Sequence, residues 1–147
     1  LEDVYKTKDK GHVEAMLNLV VLYQHGKGVP RNPEKAATLY QAAADKGQVE
    51  AMSNLGVLYQ HGEGVPKNPE KAATLYQAAA DKGHVEAMLN LGVLYQHGEG
   101  VARNTEQAAS LSQAAADKGQ VGAMSNLGVL YQHGEGVEKY TEQGATL

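Results

Sequence analysis

Apolar residues recur along the chain at helical spacing, in two kinds of short block that alternate from end to end. In the block 49–61 they lie at i, i+1, i+4, i+7 and i+8, as Ala51, Met52, Leu55, Leu58 and Tyr59. In the block from about 69 to 82 a second stripe contains Ala72, Leu75, Tyr76 and Ala79. Apolar residues at this spacing share one face of an α-helix. The pattern therefore predicts pairs of amphipathic helices, which we call helix A and helix B.

The residues between the two blocks are turn and capping residues. Gly62 follows helix A where a left-handed cap is expected, and Gly64 allows a further sharp turn. Asn68 is a favourable N-cap for helix B, and Pro69 suits its first turn. Each helix is thus predicted to end at a defined residue.

The same pattern returns four times, since the phrase Tyr-Gln-His-Gly begins at 23, 59, 95 and 131, a step of 36 residues. A fixed period of this length is typical of a solenoid, in which each unit buries its apolar face on its neighbours. We expect one domain over 1–147, with units 11–46, 47–82 and 83–118 and a partial unit 119–147. Residues 1–10 are interpreted as the remnant of a preceding helix B. Because the chain starts at Leu1 without Met, we expect it to be a segment of a longer array or a processed form.

The repeated residues resemble those of the Sel1-like repeat family, a relative of the tetratricopeptide repeats. The resemblance covers about residues 11–147 and rests on small, aromatic and glycine positions, in the second unit Ala51, Leu55, Gly56, Tyr59, Gly62, Gly64, Ala72, Tyr76, Ala79 and Gly83. It implies an all-α, right-handed superhelix of antiparallel helix pairs that acts as a protein-binding adaptor or scaffold. Two departures concern the core: Val20 replaces the glycine of Gly56, and Ser112 replaces the tyrosine of Tyr76.

Charge and composition exclude several classes of protein. The net charge is −4, and all 13 Lys and Arg lie outside the A segments 12–25, 48–61, 84–97 and 120–133. The wall that the resemblance assigns to the concave face thus has no cation to neutralise phosphate, which argues against nucleic-acid binding. There is no cysteine for a disulfide or a thiolate metal site. No apolar run is long enough to insert in a membrane, and the cellular location stays open.

No residue pattern indicates catalysis, a cofactor or a metal. The histidines of the repeated phrase, His25, His61, His97 and His133, are interpreted as last-turn residues that complement the helix dipole. Gly26-x-Gly28 lacks the third glycine of a dinucleotide-binding loop and follows a helix rather than a strand. An active site is normally unique, whereas these features occur once per unit. We therefore predict a protein that is not an enzyme.

A functional surface is predicted on the face of helix A that points away from its apolar stripe. Its members repeat in register: Leu17, Val21, Gln24, Ser53, Val57, Gln60, Leu89, Val93, Gln96, Ser125, Val129 and Gln132. An apolar stripe flanked by glutamines suits a groove for a protein or peptide segment of unknown identity. Two alternatives remain at this point. The apolar residues could be scattered surface positions, or the chain could be a structural or designed consensus array that associates end to end with itself.

Overall fold

The computed structural model of the protein describes residues 17–23, 25, 26 and 28–133. It contains a helical segment at 17–23, which we call the leading A segment, followed by six helices of thirteen residues each. They are α1 (Pro33–Asp45), α2 (Val49–His61), α3 (Pro69–Asp81), α4 (Val85–His97), α5 (Thr105–Asp117) and α6 (Val121–His133). No strand occurs within these described ranges. The predicted boundaries of helices A and B in the second unit are confirmed to within one residue. The interpretations of 1–10, of Gln24 and of 134–147 lie outside the described residues.

The B helices begin at the predicted asparagine caps. The side chains of Asn32, Asn68 and Asn104 accept hydrogen bonds from the backbone N–H three residues later, at 3.0 to 3.1 Å. Each bond satisfies one of the amides that a helix N-terminus leaves without a partner. The A helices α2 and α4 start at Gln48 and His84 without a side-chain cap, so these starts depend on tertiary packing.

The two glycines after helix A have separate structural reasons. Gly62 caps α2 with φ 69°, in the left-handed region that favours glycine. Gly64 also has a positive φ, and a Cβ atom there would overlap the carbonyl oxygen of Pro33, at the start of the preceding helix B. Gly100 meets Pro69 in the same way one unit later. These turns therefore set the stacking of one unit on the next.

Each helix packs mainly against the helices that precede and follow it in the chain. The core is thin and consists largely of small residues: Ala36, Ala43, Ala51, Ala72, Ala79, Ala87, Ala115 and Ala123 are almost fully buried. Leu55, Leu58, Leu91, Leu94 and Tyr76 fill the space between them. In helix B the predicted stripe needs one correction, because Leu75 is half-buried while Ala73 and Ala80 are buried.

The contact between the glycine position of helix A and the tyrosine position of helix B differs among the three units. A Cβ atom at Gly56 would come within 2.7 Å of the Tyr76 ring, so this glycine is needed for the ring to lie against α2. At Gly92 the same atom would meet Ser112 Oγ and Leu111 Cβ at an ordinary 3.5 Å. In the first unit Val20 takes the glycine position and is fully buried, in the same core cluster as the equivalent tyrosine, Tyr40.

Candidate interaction groove

The repeated valines of the predicted surface differ in exposure. Val21 and Val129, in the first and last A segments, are 47% and 43% exposed. Val57 and Val93, in the middle units, are half-buried, and Val57 packs against the core. Four valines in register therefore do not form a uniformly exposed stripe.

The residue four positions before each of these valines alternates between Leu and Ser. Its burial corrects the prediction that all four copies lie on the exposed surface. Ser53 is only 2% exposed and belongs to the interior, whereas Ser125 is exposed. Leu17 and Leu89 are half-buried against the core. Leu89 also reaches the next A helix, where a Cβ at Gly122 would lie 3.4 Å from its Cδ2. This position thus helps to join neighbouring A helices.

The predicted glutamines also have different surroundings. Gln60 is half-buried, and its Oε1 accepts a hydrogen bond of 2.6 Å from the Tyr76 hydroxyl. Gln96 is half-buried, and the position equivalent to Tyr76 is Ser112, whose side chain is too short to repeat this bond. Gln132 is exposed. In the second unit the amide therefore has a structural partner inside the protein.

A cleft of about 410 Å³ lies between the leading A segment and α2. Seven residues line it: Leu17, Asn18, Val21, Tyr40, Gln48, Glu50 and Asn54. Leu17 and Val21 belong to the predicted surface, and the other five do not. The sequence contained a signal for the two asparagines among them, since asparagine recurs once per unit at 18, 54, 90 and 126. What the sequence could not show is that the cleft opens between successive A helices, with the tyrosine of helix B between them.

The tyrosine in this cleft is held neutral by its surroundings. Burial raises the pKa of Tyr40 above its usual value, the nearby Glu50 carboxylate raises it further, and the hydrogen bond with the Asn54 side chain opposes both. Burial also raises the pKa of Tyr76, with Glu86 and Glu99 adding to the effect. In both units a buried phenol thus lies near a glutamate of the following A helix.

The remaining polar contacts are structural. Arg31 of one turn forms a 2.6 Å ion pair with Glu63 of the next turn. The Lys71 ammonium lies 4.8 Å from the centre of the Tyr59 ring, within the range of a cation–π contact. His61 and His97 are exposed at the ends of α2 and α4. Within the part of the chain that the structure describes, no three His, Asp or Glu side chains form a group able to hold a metal ion.

The fold defines the class of the protein as an α-solenoid built from pairs of antiparallel helices. The sequence profile of the Sel1 repeat matches residues 13–48, 49–84, 85–120 and 121–144. The chain therefore belongs to the Sel1 repeat family, and the predicted right-handed α-solenoid with a 36-residue repeat is confirmed.

Solved structures of other proteins of this kind superpose closely on the chain. A protective antigen of uropathogenic Escherichia coli strains with this repeat fold has 32% identity and a TM-score of 0.90 over 95% of the chain. A Sel1 repeat protein from Oxalobacter formigenes has 31% identity and a TM-score of 0.86 over 91%. The chain spans 30% of the first protein and 55% of the second.

More distant similarity extends to the cysteine-rich protein B of Helicobacter pylori. It has 26% identity and a TM-score of 0.66, and the match covers 83% of this chain and 93% of that protein. A comparison with curated proteins found no match. Sel1 repeats are commonly protein-interaction scaffolds and are typically non-enzymatic. None of the helices in the described ranges has the length and apolar character to cross a membrane.

Proposed function

We propose that the protein is a non-enzymatic scaffold that binds a protein or peptide segment in the groove formed by successive A helices. The observation that supports this function best is the cleft between the leading A segment and α2. It combines apolar side chains, Leu17 and Val21, with the polar side chains of Asn18, Gln48 and Asn54. Amides both donate and accept hydrogen bonds, which suits the backbone of a bound segment.

The solenoid gives such a groove a preformed shape. The caps, the turn glycines and the alanine-rich core hold the A helices in register before any ligand arrives. A surface that is already ordered loses little conformational entropy on binding, which favours affinity. The groove is proposed to extend over residues of the later units: Val57, Gln60, Leu89, Val93, Gln96, Ser125, Val129 and Gln132. Ser53 is left out of this surface because it is buried.

The first test is selection of random peptides on the immobilised chain, followed by measurement of their affinity for variants. Val21→Asp is the variant of choice, because Val21 is 47% exposed and lines the cleft. Val57 is less suitable, since it packs against the core. We expect Val21→Asp to keep the helix content and to weaken the selected peptides by about tenfold or more, as is common for central contacts.

Thr74→Asp is the matched control, because Thr74 is exposed on α3 away from the cleft. It adds the same charge and should leave the affinity unchanged. Peptides that bind Val21→Asp as well as they bind the parent would place recognition on the turns or on helix B. Concentration-dependent association of the chain without any selected peptide would instead support end-to-end self-association.

A further inference from the structure

Exposed apolar surface is concentrated in the leading A segment. Five large apolar side chains are exposed among the described residues, and three of them, Leu19, Val21 and Leu22, lie within residues 17–23. Val21 lines the cleft described above, whereas Leu19 and Leu22 do not. Residues three positions apart share one side of a helix, so these two leucines form a continuous apolar patch, which we call the leading face.

The two positions of the leading face are core positions in every later unit. Leu19 is 37% exposed and Leu22 is 38% exposed. The equivalent residues are also leucines and are at most 1% exposed: Leu55, Leu58, Leu91, Leu94, Leu127 and Leu130. Since the residue type is the same throughout, the difference in exposure comes from the element that packs against each pair.

The later pairs are covered by the helix B of the preceding unit. Leu55 and Leu58 share one core cluster with five side chains of α1: Ala36, Ala37, Tyr40, Ala43 and Ala44. The same five residue types of α3 share a cluster with Leu91 and Leu94: Ala72, Ala73, Tyr76, Ala79 and Ala80. The surface formed by two such leucines therefore fits a helix with the pattern Ala-Ala-x-x-Tyr-x-x-Ala-Ala.

The sequence just ahead of the leading A segment departs from this pattern. Counted back by 36 positions, Val4 stands where α1 has Tyr40. Thr7 and Lys8 likewise stand where α1 has two buried alanines. A lysine at such a position would bring a charge into the core, which is unfavourable. The leading face thus matches a complete helix B better than it matches the residues that precede it.

We infer that the leading face is a docking site for an amphipathic helix with this alanine and tyrosine pattern, presented by another repeat protein of the same type. The site is separate from the groove of the A helices, because Leu19 and Leu22 lie outside the cleft. It continues an interface that the protein already contains, since the docked helix would repeat the packing of α1 on Leu55 and Leu58 one unit earlier. An amphipathic helix laid on an apolar surface is a common mode of peptide recognition.

The probe is a fluorescein-labelled peptide with the sequence of residues 33–47. A lactam between its positions 34 and 38, which are exposed in α1, holds it helical, because a free peptide of this length is only marginally helical. One control peptide carries Ala43→Thr with Ala44→Lys, and a second has the same composition in scrambled order. In fluorescence anisotropy the parent chain should bind the first peptide about tenfold or more tightly than either control.

Leu19→Asp with Leu22→Asp tests the surface. Because both side chains are exposed, we expect this variant to keep the circular dichroism of the parent and to bind the peptide about tenfold or more weakly. If it loses helix content, Leu19→Ser with Leu22→Ser makes the same test without added charge. Thr74→Asp with Val121→Asp is the matched control, because it adds two charges at exposed positions away from the leading face. Its affinity for the peptide should equal that of the parent.

Three results would overturn the inference. Equal binding by the parent and by the leading-face variants would place the peptide elsewhere, as in the cleft of about 470 Å³ between α5 and α6. Equal affinity for all three peptides would show unspecific adhesion of apolar sequence. A loss in the control variant as large as that in the leading-face variant would show that added charge, and not the leucine patch, sets the affinity.

Discussion

The helix pair α2–α3 and the helix pair α4–α5 have equal lengths and equivalent caps, yet their contact is built differently. In α2–α3 the glycine at 56 accommodates the ring of Tyr76, whose hydroxyl bonds to Gln60. In α4–α5 the glycine at 92 faces Ser112 with ordinary spacing, and Leu111 is buried where Leu75 is half-buried. The comparison teaches that a repeated glycine can be required by packing in one unit and not in the next.

The largest expected effect is the difference between two alanine substitutions. Gly56→Ala should lower the free energy of unfolding by about 1–3 kcal/mol, because the new Cβ overlaps a fully buried ring. Gly92→Ala should be neutral or stabilising by up to about 1 kcal/mol, since alanine is the better helix former and its Cβ fits. Denaturant unfolding of both variants measures the difference. Equal losses in the two variants would contradict the proposed difference between the units.

Alkaline pH should destabilise the helix pair α2–α3 through Tyr76, whereas the pair α4–α5 has Ser112 at the equivalent position and no such titrating group. The pKa of Tyr76 in the folded protein is raised above its ordinary value of 10.0, chiefly by burial. Its contribution to stability is therefore complete below about pH 10 and is lost as the pH rises further, because the unfolded chain gives up the proton first. This loss amounts to about 1.4 kcal/mol per pH unit for one group.

Tyr76→Phe removes the titrating group and retains the ring. Its unfolding free energy should start lower by about 1 kcal/mol, since the bond to Gln60 is lost. Above pH 10 it should then fall less steeply than that of the parent. Chemical denaturation at a series of pH values gives both slopes, and identical slopes would show that Tyr76 titrates at its ordinary pKa.

The smallest expected effect is the conversion of α4–α5 to the arrangement of α2–α3. Ser112→Tyr should raise the free energy of unfolding by about 1 kcal/mol, because buried aromatic area stabilises and Gly92 and Gln96 are already in place. Denaturant midpoints measure it, and a lower midpoint would mean that Leu111 and Ala108 have closed the space. In this background Gly92→Ala should become destabilising, as Gly56→Ala is in the parent, which a double-mutant cycle tests.

The local features of the protein were predictable from the sequence because they depend on neighbours within a few residues. The stripe of Ala51, Leu55 and Leu58, the cap at Asn68 and the left-handed Gly62 all lie where the pattern placed them. Each of these features is set by helical period, a side-chain hydrogen bond or a backbone angle. The fold class followed from their regular return every 36 residues.

The candidate site was only partly predictable, because it depends on residues far apart in the chain. Leu17 and Val21 were identified, whereas Tyr40, Glu50 and Asn54 joined them only where two units meet. A helical wheel describes one helix and carries no information on the element packed across from it. The asparagine that recurs once per unit was visible in the sequence, but the location of Asn18 and Asn54 in a cleft was not.

By itself the sequence determined where the B helices begin and where the A helices end, and that the helices stack as repeats. Only the tertiary structure decided which copies of a repeated residue are exposed. Ser53 and Ser125 occupy the same position of the repeat, yet the first is 2% exposed and the second lies at the surface. Leu75 and Leu111 likewise hold equivalent positions, yet the first is half-buried and the second is buried. The reason is that burial and side-chain partners are set by the adjoining unit, and a residue's own repeat does not contain that unit.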